Sequence, residues 1–366
     1  MSGNISNLIS YTIFRLLKPL FKSADYSSRK NLLFFNTGQI GDLIVSSMVF
    51  ENDDIFDDNA NVYFLMKEQY FELFVNYNGK VRILKYNHNK YKWNIFYRIN
   101  LLKKLNSLKL KTVYNITAAR GFLNDEITLL CGAQNKFTTC NSWRYLKEFW
   151  GSKMNKGYTK ILFQNEKNEY KKNILLLKCF SKNEPETINK KVFDIKKYSN
   201  YLSEKGYRKG NYIVVSPLSS DMSKSWGIEN YKNLCLILKR KYKIVLMGSP
   251  KEYKTLKYIS NDDSDISLHS YSLEYVPAVI GNSKLFVGND SGLTHVALKL
   301  NIPLVAILYG GYFKMFLPFK ENVNKFVYLY NEMDCFGCHS RCIYKEPLCL
   351  KNLKVNNVLG EVEKLL

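Results

Sequence analysis

The sequence predicts an α/β protein of the doubly wound type, with parallel sheets carrying helices on both faces. Three observations lead there. Short apolar runs of strand length alternate with longer stretches of helical spacing. The alternation dissolves into a polar stretch around residues 165–210 and then restarts, which gives two such units. Glycines and acidic residues sit where an apolar run hands over to a helix, the place where open α/β sheets bind ligands. A length of 366 residues suits two domains of ordinary size, and a hydrophobic content of 46% lets each bury a core.

The first stretch, residues 1–30, reads as a basic amphipathic segment. In "NLISYTIFRLLKPLFKS", Ile9, Ile13, Leu16, Leu17 and Leu20 follow helical spacing, with Arg15, Lys18 and Lys22 among them. Two readings stand: a helix lying on an anionic membrane surface, or one packed on the protein's own body. Pro19 weakens a continuous helix in either case. Strands are predicted at 31–35, 61–66, 80–86 and 111–116, with helical stretches between them. The polar stretch that follows holds one helix-like run, "NILLLKCF". In the second half, strands are predicted at 211–217, 243–249, 284–290 and 302–310. Helices are predicted at 227–242, 272–283, 292–301 and 356–366. The boundaries drawn are a segment 1–30, a domain 31–185, a linker 186–210, a domain 211–355 and a terminal helix 356–366. No repeat is visible at the residue level. Two halves joined by a linker are expected to place a ligand in the cleft between them.

No run of 18 apolar residues and no secretory leader is seen, so neither a membrane span nor export is expected. Eight cysteines without such a leader argue against a disulfide framework. The 54 Lys and Arg against 32 Asp and Glu give a net charge of +22. That charge either favours anionic partners such as anionic lipid or phosphorylated glycans, or reflects only a chain in which Lys and Asn are abundant throughout. Nucleic acid is not favoured, because the lysines are spread and no recognition signature is present.

Two stretches carry the chemistry. "NTGQIGDLIVS" puts Gly38, Gly41 and Asp42 at the first strand-to-helix turn. The spacing Gly38-x-x-Gly41 departs from the dinucleotide fingerprint, which argues against nicotinamide binding. "FVGNDSGLTHVALKLNIPLVAILYG" reads as strand, acidic turn, helix, strand. It sets Asp290 and Ser291 at a strand's carboxyl end and opens a helix with Gly292. Free N–H groups at a helix start suit phosphate, and glycine permits close approach. His295 lies one turn further on; helix capping alone is the competing account of Asp290 and Ser291. Lys224, in "SPLSSDMSKSWGIENY", is placed to neutralise a diphosphate leaving group, and otherwise reads as an exposed loop lysine. Glu252, after the strand of "VLMGSPKE", offers a carboxylate to ribose hydroxyls or to solvent. Near the C-terminus, "CFGCHSRCIYKEPLC" holds Cys335, Cys338, Cys342 and Cys349, a spacing with metal-ligand character. A structural zinc, reduced thiols packing a loop and a redox-labile pair are all open readings.

Taken together, "GQIGDLIVSS", "SPLSSDMSKSWGIENY", "VLMGSPKE" and the Asp-Ser-Gly-x-x-His stretch are similar in order and spacing to glycosyltransferase family 9, the ADP-heptose:lipopolysaccharide heptosyltransferases. The resemblance covers roughly residues 31–318. It implies a GT-B fold of two Rossmann-like domains, and an inverting transfer that needs no cofactor. On it, Asp42 resembles the general base at a turn kept small by Gly38 and Gly41. Lys224 resembles the phosphate-binding lysine. Ser219, Glu252, Asp290, Ser291, Gly292 and His295 take donor contacts. The resemblance makes residues 31–185 the acceptor domain and 211–355 the donor domain. It implies a nucleotide-sugar donor, ADP-heptose by default, and an anionic glycolipid acceptor at the cytoplasmic face of the inner membrane. "NTGQIGD" lacks the basic residue often found ahead of this turn, which leaves the acceptor's identity open. An epimerase or hydrolase of the same fold and a non-catalytic glycan-binding adaptor are the alternatives.

Overall fold

The computed structural model describes residues 2–21, 30–140, 148–187, 192–270, 272–320, 323–344 and 346–366. Lys22 lies outside them. The chain forms two compact units: one holds residues up to 71 and 78–185, the other residues 72–77 and 186–366.

Unit 1 is built on β1 (Leu32–Phe35), β2 (Val62–Lys67), β3 (Arg82–Tyr86), β4 (Thr112–Asn115), β5 (Asn135–Thr138) and β6 (Lys160–Ile161). Unit 2 carries β7 (Tyr212–Ser216), β8 (Lys243–Met247), β9 (Ile266–His269), β10 (Leu285–Asn289), β11 (Leu304–Ile307) and β12 (Phe326–Leu329). All pairings are parallel. The orders are β3-β2-β1-β4-β5-β6 and β12-β11-β10-β7-β8-β9. Counted from its own first strand, each sheet therefore runs 3-2-1-4-5-6, and each has its topological switch between first and fourth strands. Ligands bind at that point, outside the carboxyl ends of the strands.

Most of the predicted strands are central, because a strand covered on both faces must be apolar throughout; β3, which forms an edge, is also predicted, and the central β5 is not. Every residue of β7, β10 and β11 is buried. Four strands went unread: β5, β6, β9 and β12. Three of these form sheet edges, all are short, and all but β12 carry polar residues. The predicted helix 272–283 shortens to Val276–Gly281. The stretch expected as a linker is partly structured: a 3-10 turn spans Ile195–Tyr198, a helix spans Ser199–Glu204, and Leu202 and Tyr207 are buried. Just before it, the helix Glu169–Leu177 packs on unit 1 against the helix Ile40–Ser46.

The N-terminal helix runs Ser2–Leu17 and gives way to a 3-10 turn, Lys18–Leu20, that contains Pro19. Proline removes an N–H that an α-helix would use. One face packs on unit 1: Phe14, Leu17 and Phe21 are buried, and Tyr11 and Phe14 meet Phe122 edge-on. The opposite face shows Leu8, Ile9, Leu16 and Leu20 to solvent.

Unit 1 also buries charge. Arg120 donates to both oxygens of Asp125, at 2.9 and 2.7 Å, and to the Cys140 carbonyl at 2.8 Å. The Tyr158 hydroxyl donates to Asp125 at 2.7 Å and accepts from Asn115 Nδ2 at 3.0 Å. Neither ion of the pair is exposed.

Residues 72–77 lie within unit 1's sequence but belong to unit 2. Glu72 accepts from Ser272 Oγ at 2.6 Å and from the Leu273 N–H at 3.2 Å. Asn76 donates to Tyr198 and accepts from Lys197, while Phe74 stacks on Phe193.

Candidate functional site

At the switch of unit 1, β1 ends at Phe35 and the chain turns through Asn36–Gln39 into the helix Ile40–Ser46. Buried Asn36 shapes this turn. Its Nδ2 donates to Ser46 Oγ at 3.0 Å and to the Asp42 carbonyl at 3.2 Å, and its Oδ1 accepts from the Gly38 N–H at 2.8 Å. Asp42 occupies the first helical turn, where its charge complements the helix dipole. Its Oδ2 accepts from the Gln39 N–H at 2.9 Å. A Cβ at Gly38 would fall 2.3 Å from the Asp42 Cβ and 2.6 Å from Oδ2. Gly38 thus leaves room for the carboxylate itself.

Lys67 and Glu169 interact electrostatically with Asp42, and His88 with Lys67; sequence reading singled out none of them. Burial holds the Lys67 ammonium, at the end of β2, below its ordinary range, and the charge of Asp42 opposes this. Burial, aided by Lys67 and Lys92, drops His88 to about 4. Glu169 is buried and accepts from Lys172 Nζ at 2.8 Å. Burial pushes its carboxyl up to about 7 against the pull of Lys172, with Asp42 adding to the rise. In a lysine-rich chain, "NEYKK" reads as solvated surface, so nothing in the sequence marks Glu169.

At the switch of unit 2 the structure brings Lys224, Asp290, Ser291, Gly292 and His295 together. β10 ends at Asn289, Ser291 caps the helix Gly292–Lys299, and Ser291 Oγ is buried without a hydrogen-bond partner. The hydroxyl and the first-turn N–H groups form a donor set suited to phosphate. Lys224 closes a 3-10 turn, Met222–Lys224, with its Nζ 4.1 Å from the Tyr312 ring centroid. Burial pushes the Asp290 carboxyl up to about 6, against the pull of Lys224. Burial, aided by Lys299, drops His295 to about 3, so its imidazole is neutral near pH 7. His295 Nε2 lies 3.9 Å from Asp290 Oδ1 and its ring meets Phe316 edge-on. Ser219 is buried in the loop after β7. Glu252 follows β8, one strand over; its Oε2 accepts from the Ser249 N–H at 2.6 Å and Oγ at 2.7 Å.

The clamp of this site is Asn289, which sequence reading passed over. Its Oδ1 accepts from the Trp226 N–H at 3.0 Å and the Tyr231 hydroxyl at 2.9 Å, and its Nδ2 donates to the Pro217 carbonyl at 2.7 Å. One buried amide thus ties the Lys224 loop to the strand that carries Asp290. Asn36 does the equivalent work in unit 1. The only sequence signal is an asparagine just ahead of each turn.

Cys335, Cys338, Cys342 and Cys349 line one small cavity with Tyr309 and Phe336. Burial raises the Cys349 thiol, and the other three thiols add to the rise. Among the described residues, no group of three or more His, Cys, Asp or Glu side chains is placed to hold a metal ion. The zinc expectation therefore gains no support here.

Asp290 sets a pH signature. Its carboxyl is raised from 3.8 to about 6 on folding, so its ionisation opposes the folded state. The penalty is absent below pH ~4, grows between pH 4 and 6, and is complete above. Asp290→Asn is expected to add no stability near pH 4 and roughly 2–3 kcal/mol at pH 7, read from urea midpoints. An equal offset at both pH values would rule out Asp290 titration as the cause.

The two switch points define a protein of two doubly wound units, with a dipole-held carboxylate in one and a phosphate-suited turn in the other. Residues 138–344, over half of the chain, match the model of glycosyltransferase family 9 (heptosyltransferase), and the chain belongs to this family. Lipopolysaccharide heptosyltransferase 1 of Campylobacter coli is 28% identical over 187 residues, 48% of this chain and 53% of that protein. The chain spans about half the length of the curated relatives it matches. The E. coli heptosyltransferase WaaC solved with ADP-2-deoxy-2-fluoro heptose aligns at TM-score 0.64 and 16% identity, over 91% of this chain and 99% of that one. The E. coli ADP-heptose lps heptosyltransferase II aligns at TM-score 0.66 and 18% identity, over 92% and 98%. At such identity the likeness is one of fold, the GT-B fold.

Proposed function

We propose that this protein transfers a heptose from ADP-heptose to a hydroxyl of a lipopolysaccharide-type or lipid-linked glycan, with inversion at the anomeric carbon. The observation that carries the reading is the pair of switch points, each equipped for one half of the reaction. In unit 2, Lys224, Ser291 Oγ and the start of the helix Gly292–Lys299 receive the diphosphate and stabilise its charge as the glycosidic bond breaks. Asp290, ionised above pH 6, and neutral His295 accept from and donate to sugar hydroxyls. Glu252 holds ribose. In unit 1, Asp42 takes the proton from the acceptor hydroxyl as that oxygen attacks opposite the leaving nucleotide. One base suffices for inversion, since no covalent intermediate forms. The positive charge the leaving group needs comes from Lys224 and the helix dipole, so turnover is expected to persist in EDTA. The acceptor class sets the reaction at the inner face of the cytoplasmic membrane.

A thermal-shift series with ADP, GDP, UDP, CDP and ADP-heptose tests the donor. A ligand of the folded state stabilises it by about 2.7 kcal/mol at a hundredfold excess over Kd. ADP is expected to raise Tm, and ADP-heptose to raise it further. A response to another nucleotide alone would replace the donor, and no response to any would overturn the reading. Lys224→Ala is expected to weaken ADP binding by about 10- to 100-fold, the loss of one or two charge-assisted bonds. Unchanged affinity would remove Lys224 from the site.

A further inference from the structure

We infer that the face of unit 1 covered by the N-terminal helix and by the helices His88–Trp93 and Ile95–Ser107 docks on an anionic lipid bilayer, with Trp93 and Phe96 inserted at the interface. Phe14, Leu17, Tyr91, Leu101, Leu102 and Leu105 share one core cluster, so these helices cover the same side of the sheet. On their outward sides large apolar side chains stand bare among polar ones. Trp93 is 78% exposed and Phe96 77%, with Ile95 exposed between them. Leu16 and Leu20 of the N-terminal segment are exposed to a similar degree. Scattered apolar residues on a surface need no account, but a tryptophan and a phenylalanine three residues apart, both bare, mark an interaction surface.

Charge identifies the partner. Residues 80–124 contain eleven Lys and Arg and no Asp or Glu, and only Arg98 and Arg120 of them are buried, in ion pairs with Glu126 and Asp125. Lys90, Lys92, Lys103 and Lys104 are exposed on the same two helices as the aromatic pair, and Lys92 Nζ lies 4.6 Å from the Trp93 ring centroid. Arg15 and Lys18 stand exposed beside Leu16. Apolar side chains rimmed by flexible cations match an anionic headgroup layer over acyl chains. Each lysine near such a surface strengthens binding about fivefold at physiological salt. Among the described residues no helix is long and apolar enough to cross a membrane, so contact of this kind is with the surface. The inference deepens the proposed function, taking from it only that the acceptor is held in a bilayer.

The test is co-sedimentation of the full chain with sucrose-loaded vesicles, of phosphatidylcholine alone or equimolar phosphatidylcholine and phosphatidylglycerol, with no donor or acceptor present. Wild type is expected to bind the mixed vesicles at least about tenfold better than the neutral ones, and to release in high salt. Trp93→Ala/Phe96→Ala is expected to lose about tenfold or more in binding, with Tm within ~2 °C of wild type because both rings are exposed. Lys103→Glu/Lys104→Glu, which leaves the aromatic pair in place, is expected to lose binding to mixed vesicles only. Equal binding to both vesicles, or full binding by the aromatic double variant, overturns the proposal. So does a dimer in light scattering that the double variant abolishes, which assigns the face to a second copy. Preference for a single-stranded oligonucleotide over vesicles overturns it as well. Transfer to a soluble acceptor fragment is read separately, so a wild type that transfers but shows no preference for mixed vesicles fails this inference alone.

Discussion

Asp42→Asn is expected to lower transfer by roughly 10²- to 10⁴-fold, the span of a lost general base, and to leave donor affinity unchanged. The substitution is chosen for what it preserves. In the wild type, Oδ2 of Asp42 accepts from the Gln39 N–H at the helix start. An asparagine oxygen can still accept that bond, so the turn keeps its shape while the ability to take a proton is lost. Asp42→Ala removes both, and about 0.3–1 kcal/mol of helix-start stabilisation with them. Gly38→Ala approaches the carboxylate from the other side. Its Cβ would overlap the Asp42 side chain, pushing the carboxylate aside without altering its chemistry. A partial loss of kcat with an unchanged KM for donor is expected. If Asp42→Asn transfers at the wild-type rate, the base lies elsewhere, and Glu169, whose carboxyl is raised to about 7, becomes the first residue to test.

The largest stability effect is expected in unit 1, at the pair Arg120 and Asp125. Asp125→Ala would leave a fully buried guanidinium without its carboxylate and the Tyr158 hydroxyl without its acceptor. Breaking a buried pair from one side costs about 3–5 kcal/mol, which in a unit of this size lowers Tm by roughly 10 °C. Arg120→Met/Asp125→Leu is expected to recover much of that loss, because removing both charges also removes the desolvation penalty. A drop of less than about 1 kcal/mol for Asp125→Ala would mean that water reaches the arginine.

Legibility in the sequence followed burial. Strands buried throughout, such as "YIVVS" and "LVAI", had to be apolar and were readable; "NKFT" and "ISLH", partly exposed, carry polar residues and were not, and "FVYL" is a short apolar run bounded by polar residues. The turns at Asp42 and Asp290 stood out because glycine and a carboxylate at a strand's end serve few other purposes. Asn289 and Asn36 were hidden, since an asparagine near a turn looks like turn chemistry until its amide is seen to be buried. Arg120, Asp125 and Glu169 were hidden for the opposite reason: a charged residue in so charged a chain reads as surface. The N-terminal segment offered two readings, and its helix shows a packed side and a bare one together.

The short segment 72–77 gives the chain a particular birth order. Its partners on unit 2 extend to Leu273, some 200 residues further along. At a ribosomal pace of about 5–20 residues per second, roughly 10–40 s pass between the emergence of this segment and that of its last partner. The Rossmann unit made first must therefore settle around a six-residue gap in its own sequence. No single cut between residues 185 and 186 frees a complete second unit, because one of its pieces was delivered a hundred residues too early.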